Sequence, residues 1–162
     1  MSISKIKNLS INPHFYALLL QGFLSGYEKP CEIKLLFWAL PILLTGDSRK
    51  KLETANKNSR FGTLFQTPIS VEDEKISGKT RLSGYIDKYN SIKPFCKDAI
   101  IILSSEGKIS LKDFKITLME KIDYKSFDGS VRSWVKSAFY LGIIFSKATD
   151  DLLSYFLGVE MI

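Results

Sequence analysis

From residue 13 onward, apolar side chains recur at helical steps. Phe15, Leu18, Leu19 and Gly22 share one face, Asn12 can cap the N-terminus, and Pro13 takes the first helical position, where a missing N–H costs nothing. This predicts a first helix over 13–27, closing at Gly26. Residues 32–45 are apolar on most sides and predict a second, central helix. Thr45-Gly46-Asp47-Ser48 breaks it, and a basic, polar helix follows from Ser48 to about Thr54. Asn56 to Thr67 is polar and predicts a partly helical loop anchored by Phe61, Leu64 and Phe65. Val71 to Ser91 predicts a longer helix with Ile76, Leu82, Ile86 and Tyr89 toward the core, weakened by Gly78 and Gly84.

Pro94 restarts a helix that runs through Ala99 to Leu103, and then the period changes. Lys108 to Leu111 alternates, Lys112-Asp113 turns, and Phe114 to Thr117 alternates again, which predicts a short hairpin like the wing of winged-helix domains. After a polar linker over Asp123 to Gly129, Val131 to Ala148 is strongly amphipathic, with Val131, Trp134, Val135, Ala138, Leu141, Gly142 and Phe145 on one stripe. A last short helix starts at Thr149, ahead of Asp150 and Asp151. The fold class is therefore mainly α: a compact helical domain with a small, winged-helix-like β-hairpin.

The chain has 162 residues, 45% hydrophobic and 25% charged, which predicts one packed domain over 1–162 rather than disorder. Its net charge of +6 permits a nucleic acid or an acidic protein as partner without requiring either. Cys31 and Cys96 lie far apart with no metal-ligand spacing, and His14 is the single histidine. Two buried free thiols are expected, with a disulfide or metal site as the alternative, and the compartment expected is a reducing cytoplasm. Met1 to Asn12 carries no secretory pattern. The most apolar run, Leu35 to Leu44, is about half the ~20 residues a membrane span needs, so no membrane partner is expected.

Catalytic motifs are missing. There is no phosphate-cradling GxxxxGK[ST] loop, no HExxH, no GxSxG and no spaced carboxylate–lysine nuclease set, so neither an enzyme nor a cofactor is predicted. Glu72-Asp73-Glu74 and Asp150-Asp151 read as charge at helix N-termini, and His14 as a structural or interface residue rather than a general base. The densest positive charge is Arg49, Lys50, Lys51, Lys57 and Arg60, expected on a solvated helix and the loop after it. These five could meet phosphates or an acidic partner, or simply keep the surface soluble. Lys75, Lys79 and Arg81 form a second group, and Lys108, Lys112 and Lys115 stud the hairpin. The C-terminal stretch stays apolar to its last residue, so Tyr155, Phe156, Met161 and Ile162 either fold into the core or anchor a partner.

The two ends of the chain resemble a known family. Asn12-Pro13, Gly26-Tyr27 and the Leu40-Pro41 pair look like the opening, and Ala138, Leu141-Gly142 and Leu157-Gly158-Val159 like the ending, of the middle component of bacterial three-component ABC-ATPase (ABC-3C) conflict systems. Ser48-Arg49 and Leu52 fit a family pattern of Thr-Arg followed by Leu, with Glu53 where proline is common. The resemblance implies a non-catalytic adaptor in a Menshen-like antiphage defence complex. Such a subunit stands between an ABC/OLD-type ATPase-nuclease and a larger sensor or effector component. A winged-helix-like DNA-binding recruiter or regulator, touching DNA non-specifically, is the alternative function.

Overall fold

Two helices at opposite ends of the sequence form the centre of the molecule, a computed structural model that describes residues 12–62, 69–71, 74–76 and 84–159. Helix α1 (Pro13–Tyr27) starts as its sequence dictates: the Asn12 side chain accepts the His14 N–H at 2.8 Å. Its bounds are the expected 13–27, but Gly26 is not what ends it. It runs on to Tyr27 and closes on Glu28, which takes the left-handed conformation at φ 63°.

Gly26 has a different task. Helix α5 (Gly129–Lys147) lies along α1 in the same direction, with Phe15 on Trp134 near the N-termini and Phe23 on Phe145 further along. A Cβ at Gly26 would sit 1.9 Å from the Phe139 carbonyl oxygen, and one at Gly142 would sit 2.0 Å from that of Phe23. Each glycine thus admits the other helix's backbone, and Gly22 faces Val135 and Ala138 one turn earlier. The small residues that mark the two ends of the sequence meet in space. They allow Leu19, Leu20, Phe23, Leu141, Ile144 and Phe145 to be fully or almost fully buried around the contact. Truncating a side chain such as Phe23 to alanine would cost about 3–5 kcal/mol, so this seam is a large share of the stability.

Helix α2 (Ile33–Leu43) is buried along most of its length, which is why it is apolar on most sides, and Pro41 sits within it without ending it. Helix α3 (Gly46–Leu52) follows, with Leu52 in the core and Ser48 buried. Phe61 in the next segment packs on Phe145 and Phe156, the anchor expected of it; Leu64 and Phe65 lie outside the described residues.

Of the helix expected over 71–91, the stretch at 71 and 74–76 is overturned and 85–91 is helical, while 72–73 and 77–83, Leu82 among them, lie outside the described residues. Strands β2 (Ile69–Val71) and β3 (Glu74–Ile76) pair antiparallel, Ile69 opposite Ile76, so Glu74 is in a strand and not in a helical first turn. Helix α4 (Tyr85–Ser105) begins only after Gly84, whose φ of 81° lies outside the range of a right-handed helix. It then passes straight through Pro94 instead of restarting there. Pro94 and Asn90, whose carbonyl loses its helical N–H partner, are both on the exposed face, so solvent can take that hydrogen bond. The buried stripe is Tyr85, Ile92, Cys96, Ala99, Ile100 and Leu103; Ile86, expected inside, is 40% exposed.

The hairpin comprises β4 (Ile109–Lys112) and β5 (Lys115–Leu118), one residue later than the alternation predicts. Lys112 pairs with Lys115, so the two-residue turn is Asp113-Phe114 rather than Lys112-Asp113. A two-residue strand β1 (Cys31–Glu32), too short to be read from the sequence, joins β5 and gives the antiparallel order β1–β5–β4. Cys31, Ile109 and Ile116 face the helices. Helix α6 (Asp150–Leu157) closes the described chain, with the Thr149 hydroxyl accepting the Leu152 N–H at 3.2 Å. The protein is mainly helical with a small three-stranded sheet.

Candidate partner-docking groove

The basic segment is less uniform than its sequence. The Arg49 guanidinium lies 3.6 Å from the centre of the Trp134 ring, which in turn meets Phe15 edge-on at 5.4 Å. Half-buried in this stack, Arg49 has its pKa lowered by desolvation, partly offset by Glu53. An arginine cannot shed its proton in a protein, so the charge persists, but its flat face is committed to the indole. The expectation that Arg49, Lys50 and Lys51 all stand on a solvated surface is therefore corrected. Lys50 is exposed, Lys51 half-buried, and Lys57 and Arg60 exposed on the following loop. Lys147, from the end of α5, donates to the Lys57 carbonyl and adds its charge to this face.

At the C-terminal end, Phe156 is 6% exposed and packs on Phe61, whereas Tyr155 beside it is 65% exposed. Met161 and Ile162 lie outside the described residues. His14 is exposed at the start of α1. On the hairpin, Lys108 is engaged by Glu106 at 2.8 Å, and Lys112 and Lys115 are exposed. Of the group Lys75, Lys79 and Arg81, the first is in β3 and the other two are outside the described residues.

A groove that sequence reasoning did not anticipate opens where three distant segments converge. Its volume is about 590 Å³. The start of α2 supplies Ile33 and Phe37, the first turns of α4 supply Tyr89 and Lys93, and the hairpin turn supplies Asp113 and Phe114, with Glu32 and Lys34 at the rim. The walls are tied together by backbone: the Ile33 N–H donates to the Phe114 carbonyl at 2.9 Å. Below Tyr89, Tyr85 is buried with its hydroxyl donating to the Trp38 carbonyl at 2.6 Å, and burial pushes its pKa well up. The Lys34 ammonium is held by Asp150 at 2.8 Å and Glu32 at 3.3 Å, and the hydrogen bond to Asp150 is the main cause of its raised pKa.

The turn itself is unusual. Asp113 and Phe114 have φ of 53° and 63°, the paired positive values of the turn that suits a two-residue hairpin. Asn-Gly or Asp-Gly normally fills it. A phenylalanine in the second place is strained, and this one is 80% exposed, so it gains little burial in return. One signal was available in the sequence: a Phe directly after Asp, where a hairpin of this length asks for Gly.

Among the described residues no group of three or more His, Cys, Asp or Glu side chains could hold a metal ion. Cys31 and Cys96 are free and buried, and burial pushes both thiols up to about 12, leaving almost no thiolate near neutral pH. What the surface offers is an aromatic-lined groove, a cationic face and an exposed tyrosine, which are means of holding something.

The family described as ABC-three component (ABC-3C) system Middle Component 3 matches residues 1–161. The chain belongs to that family. Comparison with curated proteins and with solved structures gives no match. Membership of the Middle Component 3 family makes this chain one component of a multi-part system, and the resemblance carried by its two ends now has a structural basis. Gly26 and Gly142 are reciprocal elements of the α1–α5 contact, and Leu52 is a core residue. Among the described residues no helix is long and apolar enough to cross a membrane.

Proposed function

We propose that this middle component is a non-enzymatic adaptor in a bacterial antiphage defence complex, bridging an ABC/OLD-type ATPase-nuclease and a sensor or effector component. The observation that carries this reading is the family match over residues 1–161, because a middle component has its role among the other components. The surface is consistent with it, since the groove and the cationic face share no residue and could engage two partners. Lys50, Lys51, Lys57 and Arg60 are proposed to meet an acidic surface or DNA, with Arg49 bracing their helix on Trp134. Tyr155 is proposed as a partner contact, with Phe156 behind it as support and Met161 and Ile162 continuing the apolar end.

A second reading, a winged-helix-like DNA recruiter, is supported by the sheet order β1–β5–β4 with the hairpin directly after the long helix α4. One experiment separates the two. The chain is co-expressed with the products of its neighbouring genes, and both complex formation and DNA binding are measured for the wild type and for Lys50→Glu/Lys57→Glu, which leaves Arg49 in place. The adaptor reading expects loss of the complex with DNA binding weak throughout. The recruiter reading expects DNA affinity that falls with salt at a slope of about −0.9 per phosphate contact and drops in the variant. If the chain meets no neighbouring product and no DNA, both readings fail.

A further inference from the structure

Resting on the adaptor reading, we propose that the groove between α2, α4 and the hairpin turn receives a segment of a partner component carrying an apolar side chain flanked by an acid and a base, with Phe114 as this chain's anchor. Two independent observations meet here. First, Phe114 is held at φ 63° in a turn that favours glycine and is 80% exposed, so the fold bears strain for a side chain that contributes almost nothing to its own core. Its carbonyl, bonded by the Ile33 N–H, fixes the turn against the groove where Ile33, Phe37 and Tyr89 supply the apolar floor. An exposed aromatic on a rigid support beside an apolar hollow is the arrangement of an interface anchor.

Second, the charges around the groove are unequal in their partners. Lys34 is shared by Asp150 at 2.8 Å and Glu32 at 3.3 Å, so all three of these charges are engaged. Lys93 on the α4 wall and Asp113 on the hairpin wall form no ion pair among the described residues. The Lys93 ammonium stands over the Tyr89 ring, 5.8 Å from its centre, and both residues line the groove. A cation on one wall and an anion on the other, neither in an ion pair among the described residues, select a segment with the opposite charges in the matching order, and they set its direction.

The test uses the intact chain co-expressed with the products of its neighbouring genes, alongside Phe114→Gly, Lys93→Glu and Asp113→Asn, the last removing the charge with a residue that tolerates the positive φ. Phe114→Gly places Asp-Gly in the turn, so the isolated chain should unfold at a higher urea concentration than the wild type while its complex weakens at least tenfold. Each of the two charge changes should weaken the complex with the urea midpoint unchanged. If the wild-type complex forms and none of the three changes alters it, the groove assignment is overturned and the adaptor reading survives. If the wild type forms no complex, both fall. A wild-type dimer that Phe114→Gly dissolves would show that a second copy, not a partner segment, occupies the groove, and would overturn the proposal as stated.

Discussion

Gly26→Ala adds a single methyl group and should be among the most damaging small changes in this protein. The new Cβ would lie 1.9 Å from the Phe139 carbonyl oxygen, with the carbonyl carbon at 2.8 Å and Cα at 3.2 Å, so backbone rather than a movable side chain is in the way. Helices α1 and α5 must separate by about 1.5 Å to restore an ordinary contact of 3.4 Å. A radial gap of even 0.5–1 Å forfeits roughly a quarter to a half of each dispersion contact, and the loss is shared by the whole seam, including the Phe23–Phe145 and Phe15–Trp134 pairs. Overpacking of this kind costs about 1–3 kcal/mol and sometimes more; with immovable backbone the upper end applies. Alanine's better helix propensity returns roughly 1 kcal/mol.

The net loss should therefore be roughly 2 kcal/mol, which for a domain of this size lowers Tm by about 4–8 °C. Urea titration monitored by circular dichroism measures it. Gly142→Ala should behave alike, because its Cβ would meet the Phe23 carbonyl oxygen at 2.0 Å. The double variant should lose less than the sum, since helices already pushed apart by one methyl accommodate the other. Gly46→Ala is the control: nothing lies within 4 Å of that position, so it should be neutral or gain up to about 1 kcal/mol. If Gly26→Ala proved as stable as Gly46→Ala, the account of the α1–α5 seam would be refuted.

Two further outcomes follow from the packing of Arg49 and of the two thiols. Arg49→Ala removes a guanidinium stacked 3.6 Å from Trp134, which should cost about 1–2 kcal/mol in urea and shift the tryptophan emission to the red; unchanged emission and midpoint would mean that the stack is absent in solution. In alkali, the raised thiol values set the sign. The unfolded chain loses its cysteine protons near pH 8.5 while the folded chain keeps them up to about 12, so stability is full below the lower value and falls as pH rises between them. The slope is roughly 1.4 kcal/mol per pH unit for each thiol, and Cys96→Ala should make the decline shallower by one such increment, whereas parallel profiles would contradict the burial argument.

The helices were legible where a local chemical signal coincided with periodicity. Asn12 and Thr149 cap α1 and α6 as their side chains predict, and the stripe from Val135 to Phe145 is the buried face of α5. Legibility failed where an outcome depended on residues far away. Arg49 looks solvated in its own segment, and only Trp134, far downstream in the chain, covers one side of it. Gly26 looks like a helix end until the Phe139 backbone is brought against it. The stretch over 69–76 contains apolar residues that fit either period, and the strand pairing decides it. The groove is the extreme case, because α2 and α4 contribute residues that are unremarkable in their own segments, Phe114 in the hairpin turn is the one local signal, and only the fold brings them together.

The adaptor claim is tested most directly by measuring the mass of the assembled system with and without this chain. The candidate ATPase and effector components are co-expressed with it, and the purified material is weighed by light scattering behind size exclusion. One species containing all three is expected, with no complex between the two outer components when this chain is omitted. Outer components that assemble unaided, or this chain eluting alone at 18.4 kDa, would contradict it.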